Sequence, residues 1–235
     1  MKAIILNGSA RGLKGVTGRL VKALVNGLSE GGAEVKQFQL QGLDISPCTA
    51  CLSCMHKTAG ECVIKDDMKT IYKGLKTSDL LIMATPVYTD NMSAQLKTAM
   101  DRCLCCLQPF LIKDRSGRIR HPYFWRMPSK MLLLSTSGFP EIETFFPLTA
   151  TFRAQAANLG AEAIGEICIP GSIGIQMEPE RLEPHLKLLQ EFGRILATTG
   201  QIDKAILKAL NIPPMGIEEY LTAAARYEAW CKRGV

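Results

Sequence analysis

Short apolar runs alternate along this chain with segments whose apolar residues recur at helical spacing, and that alternation constrains the fold more than any other feature. Ala3 to Asn7 reads as a buried strand, and Leu80 to Ala84 is apolar at every position, as a parallel strand covered on both faces requires. Glu34 to Leu40 alternates like a second strand, and Met131 to Ser135 and Ala163 to Ile169 supply two more. Between them, Leu20, Val21, Leu24, Val25 and Leu28 mark one helical face, and a helix capped at Asp66 or Asp67 runs through Leu75. Met92 to Cys106, Glu141 to Leu159 and Glu180 to Thr199 give the remaining helices, while Thr85 and Pro86 are expected to end the third strand. Such alternation implies right-handed crossovers in one parallel sheet, for which we expect five strands in the order 2-1-3-4-5. Residues 108–128 break the helical period and read as an insertion, and 203–235 read as a C-terminal helical extension beyond a body spanning 1–202, with Pro213 and Pro214 as a break.

A chain of 235 residues suffices for one large domain with a substantial core. Its net charge of +6 is spread rather than gathered into a block, which gives no sign of a nucleic-acid partner. No apolar run approaches the roughly 20 residues that cross a bilayer, and the four apolar residues after Lys2 are too few for a secretory core, so we expect a cytoplasmic protein with no membrane partner. In that compartment nine cysteines, an odd number, point to metal ligation or redox chemistry rather than a disulfide scaffold.

The loop after the first strand reads N-G-S-A-R-G-L-K-G-V-T-G. Ser9 and Thr17 offer hydroxyls, Arg11 a charged fork and the helix start free amides, a set suited to a phosphate monoester. The loop lacks both the G-x-G-x-x-G spacing of a dinucleotide site and the G-K-[ST] ending of a P-loop. Turn chemistry alone is an equal account of it. After the third strand, Pro86, Val87 and Tyr88 could wall a flat aromatic ligand, or simply end a strand before a helix capped at Asp90, Asn91 or Ser93.

Cys48, Cys51, Cys54 and Cys62 form C-x-x-C-x-x-C-x7-C on the loop before the second helix. Thiolates so spaced can converge on one centre, as in ferredoxin-type loops, and zinc could take the same ligands. Free or packed thiols remain a third account. Cys103, Cys105, Cys106 and Cys168 read as buried small side chains. Lys97, Asp101 and Arg102 read as packing and ion-pair residues on their helix.

G-S-A-R...V-T-G, P-V-Y...K...D-R and the cysteine cluster followed by K-D-D-M occur together, in order, and the chain resembles the NADPH-dependent FMN reductase and iron–sulfur flavoprotein family. The resemblance implies a flavodoxin-like three-layer α/β sandwich that binds FMN and transfers electrons from NAD(P)H or a one-electron donor to a small acceptor such as a flavin or quinone. It implies that Ser9, Arg11 and Thr17 hold the FMN phosphate with backbone from Val16 and Gly18, where family members more often carry Asn at the position of Val16. Pro86, Val87, Tyr88 and Asn91 would contact the ring and ribityl chain, and Ser135, Thr136, Ser137 and Gly138 would approach the pyrimidine edge. Cys48, Cys51, Cys54 and Cys62 would hold a [4Fe–4S] cluster, ferredoxin becomes a partner, and subunits pair as a homodimer or homotetramer. On this resemblance no side chain is expected to be catalytic, since the flavin carries the chemistry. Two other classes stay open: a non-enzymatic carrier like flavodoxin, and a zinc-stabilised interaction module.

Overall fold

The computed structural model describes residues 1–114 and 117–233; positions 115–116 of the expected insertion and 234–235 of the expected extension lie outside the described residues. In chain order the elements are β1 (Lys2–Asn7), α1 (Val16–Glu30), β2 (Glu34–Gln39), α2 (Ser53–His56), α3 (Met68–Thr77), β3 (Leu80–Tyr88), β4 (Asn91–Met92) and α4 (Ala94–Arg102). There follow β5 (Ile112–Lys113), β6 (Ile119–Arg120), β7 (Lys130–Thr136), α5 (Phe146–Asn158), β8 (Glu162–Ile169), α6 (Ser172–Met177), α7 (Glu183–Thr199), α8 (Lys204–Leu210) and α9 (Ile217–Arg233).

Five long strands pair in parallel in the order β2-β1-β3-β7-β8. Three two-residue strands intervene in the numbering: β4 turns back on β3, and β5 and β6 form a hairpin in the inserted stretch. Counted by the long strands alone, the order is the expected 2-1-3-4-5. Side chains alternate across this sheet, so each apolar strand feeds two cores. Ile5, Ile82, Leu132 and Ile167 pack beneath α1 and α7, whereas Ile4, Leu6, Leu81, Met83 and Leu133 pack beneath α3, α4 and α5. The result is a flavodoxin-like three-layer α/β sandwich. The close approach of α1 to α7 depends on Gly27, where a Cβ would come within 1.8 Å of the Gln190 carbonyl oxygen.

Several boundaries differ from expectation for local reasons. Pro86 does not end β3, which runs to Tyr88. Strand β1 last pairs at Ala84 and β4 first pairs at Val87, so at Pro86 one flank of β3 has no strand partner and a residue without an N–H is tolerated. The helix expected over 92–106 is shorter, because Ser93 caps α4 by accepting the Leu96 amide and Cys103–Cys106 tighten into a 3-10 turn. Likewise α5 and α7 start only where Pro147 and Pro184 occupy the first turn, each after a 3-10 turn. The C-terminal helices join the body's own core through Leu210, Met215, Tyr220 and the partly buried Ala224, while Leu221 faces solvent. Among the described residues no helix is long and apolar enough to cross a membrane.

Candidate functional site

Strand β1 ends at Asn7, whose side chain accepts the Ser9 amide at 3.0 Å and donates to Gln39 at 2.7 Å, fixing the start of the first loop. Helix α1 then begins after an extended Gly15, with no side chain capping it. Its first-turn amides, including those of Val16 and Thr17, therefore lack intrahelical partners and carry the positive end of the helix dipole. Arg11 leans across the same mouth, its Nη1 2.5 Å from Gln176 Oε1. Backbone donors, a hydroxyl and a guanidinium thus converge without a covering side chain, which is the chemistry of an anion site.

The anion site is one end of a cavity of about 450 Å³, within the range of small-molecule sites. Of the expected residues, Ser9, Arg11, Val16, Thr17, Pro86, Val87, Tyr88, Thr136 and Gly138 line it. The other four stand back. Gly18 packs against the Gly12–Leu13 backbone. Asn91 donates to Thr151 at 3.2 Å, Ser135 donates to the Thr85 carbonyl at 2.8 Å, and Ser137 donates to the Phe139 carbonyl at 2.8 Å. Tyr88 is half exposed beside a left-handed turn at Thr89 and Asp90, which leaves its ring free to face a flat ligand.

Sequence reasoning missed Thr144, Ser172, Ile173, Gln176 and Tyr227, which line the cavity together with Gly15, Thr89, Asp90 and Phe139. The P-G step before Ser172 was a visible turn signal at the end of a strand. Tyr227 carries no local signal at all. It reaches the cavity because Tyr220, buried and bonded to the Gly138 carbonyl at 3.1 Å, docks α9 there, and its ring lies 5.7 Å from Trp230.

Cys48, Cys51, Cys54 and Cys62 share a second, small cavity walled by Leu52, Ile64 and Leu104. Ala50 and Leu52 adopt left-handed backbone, with φ of 51° and 54°, on either side of Cys51. Such strain in non-glycine residues persists only where surrounding structure enforces it. Gly60, at φ 88°, lies so close to Phe124 that a Cβ would meet it at 2.8 Å. Its amide donates to the Cys54 carbonyl and its carbonyl accepts Trp125 Nε1, both at 2.8 Å, so the inserted stretch clamps the loop between its last two cysteines. Hydrogen bonds from the Ser53 backbone and side chain draw the Cys51 thiol down, while burial and then the neighbouring Cys62 push Cys54 up. Burial drives Cys105 to about 11 and Cys106 to about 12.

Among the described residues no three metal-ligating side chains converge closely enough for a single ion. Four soft sulfur donors around one cavity suit either a zinc ion or an iron–sulfur cluster in donor type. A further observation supports the fit: Arg102 lines this cavity, fully buried, and its Nε has no partner. Adjoining it is a wider cavity of about 640 Å³ lined by Cys62 and by Lys65, Lys69, Lys73 and Lys76. The four lysines are exposed, and none forms a salt bridge among the described residues.

Residues 1–118 match the family of NADPH-dependent FMN reductases. An iron–sulfur flavoprotein of Methanocaldococcus jannaschii is 41% identical over 200 residues, covering 83% of this chain and 97% of its own. One from Archaeoglobus fulgidus is 38% identical over 174 residues, covering 74% and 72%. Among solved structures, an FMN-dependent NADH-azoreductase of Bacillus anthracis in complex with FMN superimposes with a TM-score of 0.63 at 16% identity, over 84% of this chain and all of that one. An NAD(P)H:quinone oxidoreductase of Methanothermobacter marburgensis gives 0.57 at 14% identity, over 83% and 95%. The chain therefore belongs to the NADPH-dependent FMN reductase and iron–sulfur flavoprotein family, a family of FMN-dependent NAD(P)H oxidoreductases.

Proposed function

We propose that this protein binds FMN in the cavity between the turns leaving β1 and β3, and passes electrons from a reduced nicotinamide or a one-electron donor to a small acceptor such as a flavin or quinone. The carrying observation is the uncapped start of α1 opening, beside Arg11, into the same cavity that Pro86, Val87 and Tyr88 wall. Ser9, Arg11, Thr17 and the first-turn amides hold the phosphate, offering charge-assisted and backbone hydrogen bonds. Pro86, Val87 and Tyr88 press on the ring, and Thr136 and Gly138 meet its polar edge. Bound FMN supplies hydride and single-electron chemistry; the chain orients it and shields it from water. Titrating the flavin-free protein with FMN and following quenching of flavin fluorescence tests this directly. Failure to bind at micromolar concentrations would remove the proposal.

Cys48, Cys51, Cys54 and Cys62 are the ligands we assign to a [4Fe–4S] cluster, in preference to zinc, because the four thiols line one cavity and the similar proteins are iron–sulfur flavoproteins. Bound there, such a cluster supplies one-electron transfer. The exposed lysines beside Cys62, none of them in a salt bridge among the described residues and Lys76 lying over the Trp125 ring, suit an acidic one-electron donor, ferredoxin being the candidate, and that encounter should weaken with salt. Subunits pair, with exposed Phe110, Leu111, Ile112 and Ile119 on the β5–β6 excursion as one apolar surface to cover. Iron, sulfide and zinc counts on anaerobically purified protein separate the two metal assignments.

A further inference from the structure

Arg102 closes α4, and its side chain is 0% exposed. Burying a guanidinium is costly unless it is paired and its donors are satisfied. Here the pairing is specific to one segment. Nη1 donates to Asp66 Oδ2 at 2.6 Å and to the Ser46 carbonyl at 2.7 Å, and Nη2 donates to Asp66 Oδ1 at 3.1 Å and to the Ile64 carbonyl at 3.5 Å. Asp66, its side chain 2% exposed, accepts the Ser46 amide at 3.0 Å and the Met68 amide at 3.1 Å. Ser46 lies two residues before the first cysteine of the loop, and Ile64 two residues after the last.

We propose that Arg102, with Asp66, is the positioning residue of the cysteine loop: it ties the loop's entry to its exit, so that four thiols otherwise spread over fifteen residues face one cavity. Closing such a loop costs chain entropy that the short C-x-x-C steps cannot supply, because they fix only neighbouring cysteines. One planar fork reaching both ends does supply it. The fifth donor, Nε, is left without a protein partner on a residue that lines the cavity. That donor is reserved for an electron-rich group held by the thiols. Only this last point rests on the cluster assignment; closure of the loop stands apart from it.

The experiment uses the full chain, prepared without metal and then reconstituted anaerobically with ferrous iron and sulfide, as wild type, Arg102→Lys, Arg102→Gln and Asp66→Asn. Lysine keeps the charge but cannot span the four acceptors as a fork does. In the metal-free protein, Arg102→Lys should raise hydrogen exchange across 46–66 by about tenfold or more while exchange in α1 and β1 stays unchanged. The same variant should lose most bound iron and sulfide yet titrate with FMN as the wild type does. Any cluster it retains should reduce at a lower potential, since hydrogen bonds to the sulfurs are among the factors that set that potential. Asp66→Asn, isosteric and milder, should give the same pattern to a smaller degree, and it serves should the arginine variants not fold. Wild-type protection and wild-type iron in all three variants would overturn the proposal. A wild type that takes up no iron, with Arg102→Lys still loosening 46–66, would end the cluster assignment and leave the loop closure standing.

Discussion

Thr17 Oγ1 and Thr136 Oγ1 stand 2.8 Å apart, both buried, and their hydrogen bond joins the first turn of α1 to the end of β7 at the wall of the larger cavity. Two segments more than a hundred residues apart in the chain are thereby set in register at the place where a phosphate and a ring must both be met. Replacing Thr17 by Val preserves volume but leaves the Thr136 hydroxyl buried and unpartnered, at a cost of about 1–3 kcal/mol. We expect the urea midpoint to fall accordingly and FMN affinity to drop with it, read from denaturation curves with and without the cofactor. An unchanged midpoint and affinity would show that the hydroxyl pair is idle.

Arg11 is the only charged side chain of the first loop that lines the cavity among the described residues. A hydrogen bond to a charged partner contributes about 1.5–3 kcal/mol, so Arg11→Gln should weaken FMN roughly 10- to 100-fold. Riboflavin, which lacks the phosphate, should bind the variant and the wild type alike. Equal losses for both flavins would place the anion elsewhere.

Gly27 tests the packing that holds this geometry. Alanine there meets backbone rather than a movable side chain at the α1–α7 contact, and overpacking of this kind costs about 1–3 kcal/mol or more. Gly27→Ala should lower the thermal midpoint by several degrees, measured by circular dichroism, with FMN affinity in the folded protein close to that of wild type.

Asp66 gives the molecule an acid limb. Burial alone would raise its carboxyl, but Arg102 and the Ser46 and Met68 amides outweigh burial and hold it below the usual range. A group whose value is lower folded than unfolded stabilises above its unfolded value, near pH 4, and loses that contribution as pH falls through the folded value. Wild type should therefore lose stability steeply below about pH 4. Asp66→Asn should be less stable at pH 7 by about 1.5–3 kcal/mol, with a shallower acid limb in equilibrium unfolding.

Tyr227 brings the C-terminal extension into the cavity wall. Its partly buried ring in that wall, beside Trp230, suits contact with an incoming planar molecule. Tyr227→Ala should raise KM for a quinone acceptor several-fold while FMN affinity stays near wild type. A loss confined to FMN binding would assign the ring to the cofactor instead.

The layer architecture and the parallel sheet were legible in the chain because strands buried on both faces must be apolar at every position, as Leu80 to Ala84 are; the strand order was an expectation that the apolar runs themselves do not fix. The first loop was legible as well, since Gly15 ahead of α1 and the hydroxyls of Ser9 and Thr17 act within a few residues of one another. Local spacing likewise marked Cys48, Cys51 and Cys54 as a set. What no local pattern could disclose was any partner supplied from far along the chain. Arg102 read as a packing and ion-pair residue on its helix, and it is one, but only folding showed that its partner is Asp66 and that it binds both ends of the cysteine loop. Asn91 and Ser135 carry side chains suited to a ligand, but tertiary neighbours claim their hydrogen bonds, while Ser137 donates its own to Phe139 two residues on. Tyr227 joins the cavity solely because Tyr220 docks its helix. Periodicity and turn chemistry are short-range and are written in neighbouring residues; the choice of which polar group meets which is made by packing, which depends on the whole chain at once.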